Sequence, residues 1–286
     1  MSGNPDTLDR YFVPTEVIKV GDQRGVVAPI FLQSQGEKID NPLKGAWKQY
    51  AQKFNYEAWL VNSIPSTKDR VWGAFAEVVG EFLEDRDGTV FDLGTGPGTS
   101  SRMVLEKSKR VRVMGFDVEE EWLRQSRENL AEFAGRAAYL QADLTRPLSS
   151  IPDEVATLSL AHWVTPYLSK EGQKVMYGEQ ARVLGPKGVF LTNNLEEGVT
   201  YNEMLKRFVG WEMQQGNAEG VAEFAKMRPV ADLFDEGRKS GAMYPATVTE
   251  QMGMLKEVGF GKVERVRELT HPSFDQPFSV VIAAYK

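Results

Sequence analysis

The 286-residue chain contains no cysteine. That one absence removes disulfides, thiolate-bound zinc, iron–sulfur clusters and cysteine nucleophiles together. Histidine is nearly as scarce: His162 and His271 are the only two, so a histidine-rich metal cage cannot be built and no metal is expected. The chain also lacks a long apolar run and a charged-then-apolar leader, so no membrane partner is expected and the expected location is cytoplasmic. Positive charge is in deficit. With 34 Lys and Arg against 40 Asp and Glu, the net charge of −6 gives an average field that repels phosphate backbones, and no nucleic-acid partner is expected.

What is present falls into four stretches. Residues 1–65 read as an N-terminal arm followed by a lid helix. The arm, to about residue 45, is broken by Pro5, Pro14, Pro29 and Pro42, with only Val26 to Gln33 able to form a short extended piece. From Ala46 to Leu60 Trp47, Tyr50 and Phe54 recur at three- or four-residue spacing, as on one helical face. Residues 66–195 form the core. A helix capped by Ser66 is expected to run through Val71, Phe75, Val78, Val79 and Phe82, and short apolar strands then alternate with amphipathic helices. Strands are placed at 89–93, 110–117, 137–143, 156–161 and 188–194, and helices at Thr99 to Lys107, Glu120 to Phe133 and Lys170 to Leu184, the last stopped by the turn Gly185-Pro186-Lys187-Gly188. Residues 196–246 break the alternation with two or three helical segments rich in Met and aromatics, read as a cap insert. Residues 247–286 supply a helix at 249–260 and two closing strands at 262–269 and 278–286.

The most informative string is Val90 to Ser101, VFDLGTGPGTSS. An apolar strand ends at Asp92, and Gly94, Gly96 and Gly98 permit a tight turn with close backbone approach before Thr99 or Ser100 starts a helix. A dinucleotide-binding turn wants a third glycine where Thr99 stands, and a P-loop wants Gly-Lys-Ser/Thr, so NAD, FAD and nucleoside triphosphates are disfavoured. A second strand delivers Asp117 about twenty-five residues after Asp92, and a third ends in Asp143. Three acids at successive strand ends line the carboxyl edge of one sheet, where ligands of open α/β folds bind.

Asp-Leu-Gly-Thr-Gly-Pro-Gly resembles the first motif of class I S-adenosylmethionine-dependent methyltransferases, and the following segments keep that family's order. The resemblance is specific over about residues 70–195 and is nearest to the ubiquinone/menaquinone-type small-molecule group. It implies an α/β, Rossmann-like, doubly wound seven-stranded sheet with the last strand antiparallel, here with the N-terminal helical arm and the helical cap insert added. It also implies S-adenosylmethionine as cofactor, with S-adenosylhomocysteine as product. Asp92, Gly94, Thr95 and Gly96 would serve its methionine part, Asp117 its ribose hydroxyls, Asp143 with Leu144 its adenine edge, and Val118 and Trp122 would neighbour the adenine. A carboxylate can hold an ammonium, whereas a pyrophosphate would want amides and no acid.

Ser159 to Leu168, SLAHWVTPYL, resembles the stretch after the family's fourth strand, one residue short before the histidine, and lacks the Asn/Asp-Pro-Pro-aromatic string of nucleic-acid amino-methyltransferases. His162 is the candidate general base, because imidazole titrates near neutral pH. The competing reading has it packing at a strand end. Tyr50, on the lid helix, is the second catalytic candidate, with an aromatic core stripe as its alternative. Asn193 and Asn194 end the fifth core strand within reach of an acceptor. The Met and aromatic residues of the insert suit a large apolar acceptor, or simply pack the insert down. The function expected is methyl transfer to an O or C nucleophile, less so N, of a small apolar or aromatic metabolite. The alternatives are a methyltransferase-like protein that retains the cofactor but catalyses cyclisation or rearrangement, and a non-catalytic binding protein of this fold. The arm is also expected to reach a neighbouring subunit in a homo-oligomer.

Overall fold

The computed structural model describes residues 5–20, 23–33, 71–196, 199–226 and 228–286. Its main sheet is laid down by β4 (Gly88–Leu93), β5 (Val111–Asp117), β6 (Ala137–Gln141), β7 (Ala156–Ala161), β8 (Leu184–Leu195), β9 (Lys262–Leu269) and β10 (Ser279–Tyr285). Strands β4 to β8 are parallel to one another, while β10 lies between β8 and β9 and runs antiparallel to both. This is the expected seven-stranded, doubly wound arrangement. The central strands are buried on both faces, which is why they read as continuous apolar runs instead of alternating ones.

Two apolar layers sandwich the sheet. On one face α1 (Gly73–Leu83), α2 (Thr99–Lys107) and α3 (Glu120–Asn129) pack through Phe75, Val79, Val104 and Leu123. On the other, α4 (Lys170–Val183) and a C-terminal helix, α8 (Val248–Glu257), pack through Met176, Tyr177, Met254 and Leu255. Helix starts are fixed locally: Ser169 caps α4 by accepting the Gly172 N–H, and Thr247 with Glu250 forms a reciprocal capping box on α8. The insert consists of three helices, α5 (Tyr201–Gln214), α6 (Ala218–Lys226) and α7 (Arg228–Ser240). Among the described residues no helix is long and apolar enough to cross a membrane.

The arm departs from expectation. Residues 5–12 form a 3-10 helix whose Leu8, Tyr11 and Phe12, spaced three and four apart, bury against the sheet. Next come a hairpin of β1 (Glu16–Val20) and β2 (Gln23–Val27) and then β3 (Ile30–Leu32), which pairs in parallel with β6 and adds an eighth strand to the sheet. Proline misled the reading here. Pro29 stands just before an edge strand, where its missing N–H costs nothing. The described arm thus docks on its own chain: Phe31 meets Tyr11 edge-on at 4.7 Å, and Arg127 pairs with Glu16. The lid helix expected at 46–60, with Trp47, Tyr50 and Phe54, lies outside the described residues, as does the start of α1 expected at Ser66.

Two smaller corrections concern boundaries. Helix α3 ends at Asn129 and Ala131–Phe133 form a short 3-10 turn, and the turn expected at Gly185 to Gly188 is an excursion inside β8. The β7–β8 register jumps there from Ala156↔Leu184 to Leu158↔Val189.

The glycine turn after β4 is where fold and site meet. Gly98 caps α2 with φ 91°, and a Cβ on it would lie 2.6 Å from Ser126 Oγ on α3. Left-handed backbone and collision add, so Gly98→Ala is expected to lower unfolding stability by about 2 kcal/mol or more. Urea titration of the variant measures it.

Candidate functional site

At the carboxyl end of β4, Asp92 is almost wholly buried. Its Oδ2 accepts from Thr95 Oγ1 at 2.8 Å and from Ser101 Oγ at 2.6 Å. One strand over, Asp117 Oδ2 accepts from the Gly96 N–H and Oδ1 from the Glu119 N–H, each at 3.0 Å. Burial pushes both carboxyls up to about 6 against these hydrogen bonds, and in Asp117 the charge of Asp92 adds to the rise. Among the described residues no cation pairs with either. Two buried carboxylates side by side form a site that favours a positively charged ligand.

The loop between them divides its labour. Gly94 and Gly98 are covered, since a Cβ would lie 2.5 Å from Val164 Cγ2 on the first and 2.6 Å from Ser126 on the second. Gly96, with φ 53°, has no described residue within 4 Å of such a position. Among the described residues, then, it is the glycine of this turn that leaves room for a ligand. Thr95, expected at the cofactor, turns inward: its N–H donates to Phe116 O, its carbonyl accepts from the Gly98 N–H, and its side chain packs on Gly115. Its hydroxyl braces Asp92 instead of facing the ligand space. Ser101, the other brace, was missed, although a hydroxyl two positions into the helix that follows a glycine turn was there to be read.

At the third strand end, Asp143 Oδ1 accepts both the N–H and Oγ1 of Thr145 and its backbone N–H donates to Gln33 Oε1 at 2.9 Å. Leu144 beside it is buried, and Trp122 lies buried on α3. Val118 O accepts from Gln141 Nε2, tying the β5 and β6 ends together. The role of Gln33 was not foreseen. From the arm it also donates through Nε2 to Pro147 O, so the loop carrying Asp143 is clasped by the first strand of the sheet.

Beyond β7 the backbone of Trp163 is left-handed, with φ 58°, a strain of about 1–3 kcal/mol in a residue with a bulky side chain. Asn193 Oδ1, at the end of β8, holds its N–H at 2.9 Å. From below, Gln173 Nε2 donates to Thr165 O, and Gln251 Nε2 donates to Thr165 Oγ1 and Tyr177 Oη, so the loop is fixed by two other helices. His162 is packed tilted on Phe75 at 4.3 Å and edge-on to Trp72 at 5.2 Å. Burial drops its imidazole to about 3, with Asn193 opposing the shift, so the ring is neutral at pH 7. The ring is neither solvated nor paired with an acid, so at rest it is a neutral, weakly basic imidazole.

The insert closes the far side of this loop. Tyr201 on α5 stacks on Phe234 of α7 at 4.8 Å and shares a 2.8 Å hydrogen bond with Tyr167 Oη. Met204, Phe208, Phe224 and Phe234 are buried in the main core, so these apolar residues pack the cap onto the sheet. A cleft remains between cap and β8, lined by Asn194, Tyr201, Phe234, Arg238 and Ala246. Tyr50 lies outside the described residues.

Residues 90–188 match a family profile described as a methyltransferase domain. A trans-aconitate 2-methyltransferase of Azoarcus sp. (strain BH72) is 25% identical over 215 residues, 70% of this chain and 80% of the relative. Among solved structures, a phosphoethanolamine N-methyltransferase 2 of Haemonchus contortus, in complex with phosphomonomethylethanolamine and S-adenosylhomocysteine, has TM-score 0.56 at 13% identity, covering 87% of this chain and 59% of its own. The CurJ carbon methyltransferase gives 0.54 at 17% identity, covering 85% and 58%. The chain thus spans about three fifths of each of these two, and the likeness is one of fold.

The two raised carboxyls set a pH dependence for cofactor binding. A carboxylate accepts from hydroxyls and attracts an ammonium in its ionised form, which dominates above pH 6 here, so a cofactor bound through these two acids, S-adenosylmethionine being the one expected, should lose affinity as pH drops from 7 to 5. The slope should approach about tenfold per pH unit for each group that must ionise. Calorimetric titration across that range checks it.

Proposed function

We propose that the chain, whose residues 90–188 match a methyltransferase domain, is a class I S-adenosylmethionine-dependent enzyme that methylates an O or C nucleophile, less readily N, of a small apolar or aromatic acceptor. The observation that carries the cofactor side is the pair of buried acids, Asp92 and Asp117, that no described cation pairs, flanking Gly96, which no described residue covers. These residues fit a ligand with an ammonium and a ribose: the acids supply acceptors, and the bare Gly96 backbone permits close approach. Asp117 would take the ribose hydroxyls, with Asp92, Gly94 and Gly96 on the methionine side. Asp143 and Leu144 would face the adenine, with Val118 and Trp122 as its neighbours.

When bound, S-adenosylmethionine supplies an electrophilic methyl group on a sulfonium, so little acid–base work falls to the protein. Its residues align the acceptor and exclude water. His162 receives the acceptor's proton as the bond to methyl forms. Its low basicity in the closed aromatic surround is offset when an oxygen anion develops beside it. Tyr50 is proposed as the second catalytic residue, from the lid. The aromatic wall of Trp72, Phe75 and Trp163 favours a flat, apolar acceptor over a multiply charged one. The trans-aconitate methyltransferase relative keeps a carboxylate acceptor in view, with Arg238 at the cleft as the residue to hold one. A cytoplasmic location, no nucleic-acid partner and a homo-oligomeric state complete the reading.

Calorimetry with S-adenosylmethionine, S-adenosylhomocysteine and NAD tests the cofactor assignment. The first two are expected to bind and NAD not, and Asp117→Ala is expected to abolish binding. Unimpaired binding by that variant would remove the ribose role. His162→Ala is expected to lower turnover by about 10²-fold or more with cofactor affinity kept, read in single-turnover methyl transfer.

A further inference from the structure

Three unsatisfied polar atoms gather at one point of the fold. Neither ring nitrogen of His162 nor the Nδ2 of Asn193 makes a hydrogen bond of acceptable geometry, although both residues are more than nine-tenths buried. Each such group costs about 1–3 kcal/mol when left unmade, and a native fold keeps a cluster of them only for a reason. Asn193 cannot turn away. Its Oδ1 is committed to the Trp163 N–H at 2.9 Å, which fixes the amide plane, and the amide lies close enough to His162 to raise the imidazole's basicity without completing a well-formed hydrogen bond. His162 is held between Trp72 and Phe75, and its neutral ring carries one donor and one acceptor. The two residues stand at the carboxyl ends of adjacent parallel strands, β7 and β8, on the acceptor side of the sheet.

We propose that His162 and Asn193 together form the recognition site for the acceptor's nucleophilic oxygen, and that Asn193 is the residue selecting oxygen over nitrogen. The proposal rests on the methyl-transfer reading and narrows it. A hydroxyl oxygen has a proton to give to the imidazole nitrogen and two lone pairs, one to accept from Asn193 Nδ2 and one to attack the methyl carbon. As the O–C bond forms, the C–S bond breaks with its electron pair moving to sulfur, and the hydroxyl proton passes to the imidazole nitrogen of His162. An amine fits the same pair badly. It has one lone pair, for which the Asn193 donor and the methyl carbon would compete, and its extra N–H finds no acceptor. The flat rings of Trp72, Phe75 and Trp163 around the pair suit an aromatic or enolic hydroxyl.

The presence of only two histidines makes the test direct, because a ¹⁵N-histidine spectrum of the full chain contains one site of interest and one control, His271. The S-adenosylhomocysteine complex is titrated with phenol and with aniline, two flat probes that differ at the one atom in question. Phenol is expected to displace the His162 ring resonances and to bind at least about tenfold more tightly than aniline, the worth of one hydrogen bond in such a site. Asn193→Asp keeps the Oδ1 acceptor for Trp163 but replaces the donor with an acceptor, so the phenol-to-aniline ratio is expected to fall at least about tenfold with S-adenosylhomocysteine affinity unchanged. His162→Phe, which fills the same space without orphaned nitrogens, is expected to abolish the preference and raise the thermal midpoint. Aniline binding as tightly as phenol, an unchanged ratio in Asn193→Asp, unmoved His162 resonances, a destabilised His162→Phe, or failure of both probes to bind the cofactor-loaded protein would each overturn the proposal. Failure of S-adenosylhomocysteine itself to bind would instead remove the methyl-transfer reading on which it stands.

Discussion

The arrangement of the cofactor edge hangs on one buried carboxylate. Asp92 sits inside the sheet at the last turn of β4, where solvent cannot stabilise its charge, and two hydroxyls of its own loop do that work. Those hydroxyls are on Thr95 and Ser101, so the glycine turn and the first turn of α2 are both drawn to the strand end. Thr95 then reaches β5 through its N–H and its packing on Gly115, and Asp117 at the end of β5 reaches back to the Gly96 N–H. The lacing converges on one loop: Asp92 braces the glycine turn from its own strand end, and Asp117 holds the same turn from the neighbouring strand. With Gly94 and Gly98 plugged by Val164 and Ser126, Gly96 is the position of the turn that no described residue covers.

That lacing recasts the motif. Three glycines read as three places for a ligand to approach, yet two of them are glycine because another part of the protein comes close. Thr95 reads as a loop residue facing the ligand, yet its polar groups are spent inside. The spacing of the motif encodes the packing of α2 and α3 as much as any ligand, which is why it is recognisable without knowledge of the substrate.

Much of the fold was legible because the core strands and helices differ sharply in period. The bounds of α2, β7 and β9 follow the sequence pattern residue for residue, and the insert resolves into the helical segments that its Met and aromatic content announced. Illegible were the features that depend on distant partners. Nothing local in Ile30–Leu32 says that β6, more than a hundred residues on, will accept it as a neighbour, and prolines around it point the other way. The candidate site divides similarly. Asp92, Asp117 and Asp143 could be placed from strand ends alone, whereas the surroundings of His162, with Trp72 and Phe75 brought over from the start of α1, required the tertiary fold, which alone shows how deeply the imidazole is packed.

The clasp of Gln33 on the loop carrying Asp143 bears on how the chain is made. The two residues are 110 apart in sequence, so the arm leaves the ribosome long before β6 exists to receive it. At roughly 5–20 residues per second, its apolar Phe31 and its unpaired strand edge wait on the order of ten seconds. Neither the sheet edge nor the loop carrying Asp143 can be finished until that early segment is retrieved, so a segment made well before its partner is among the last to be put in place.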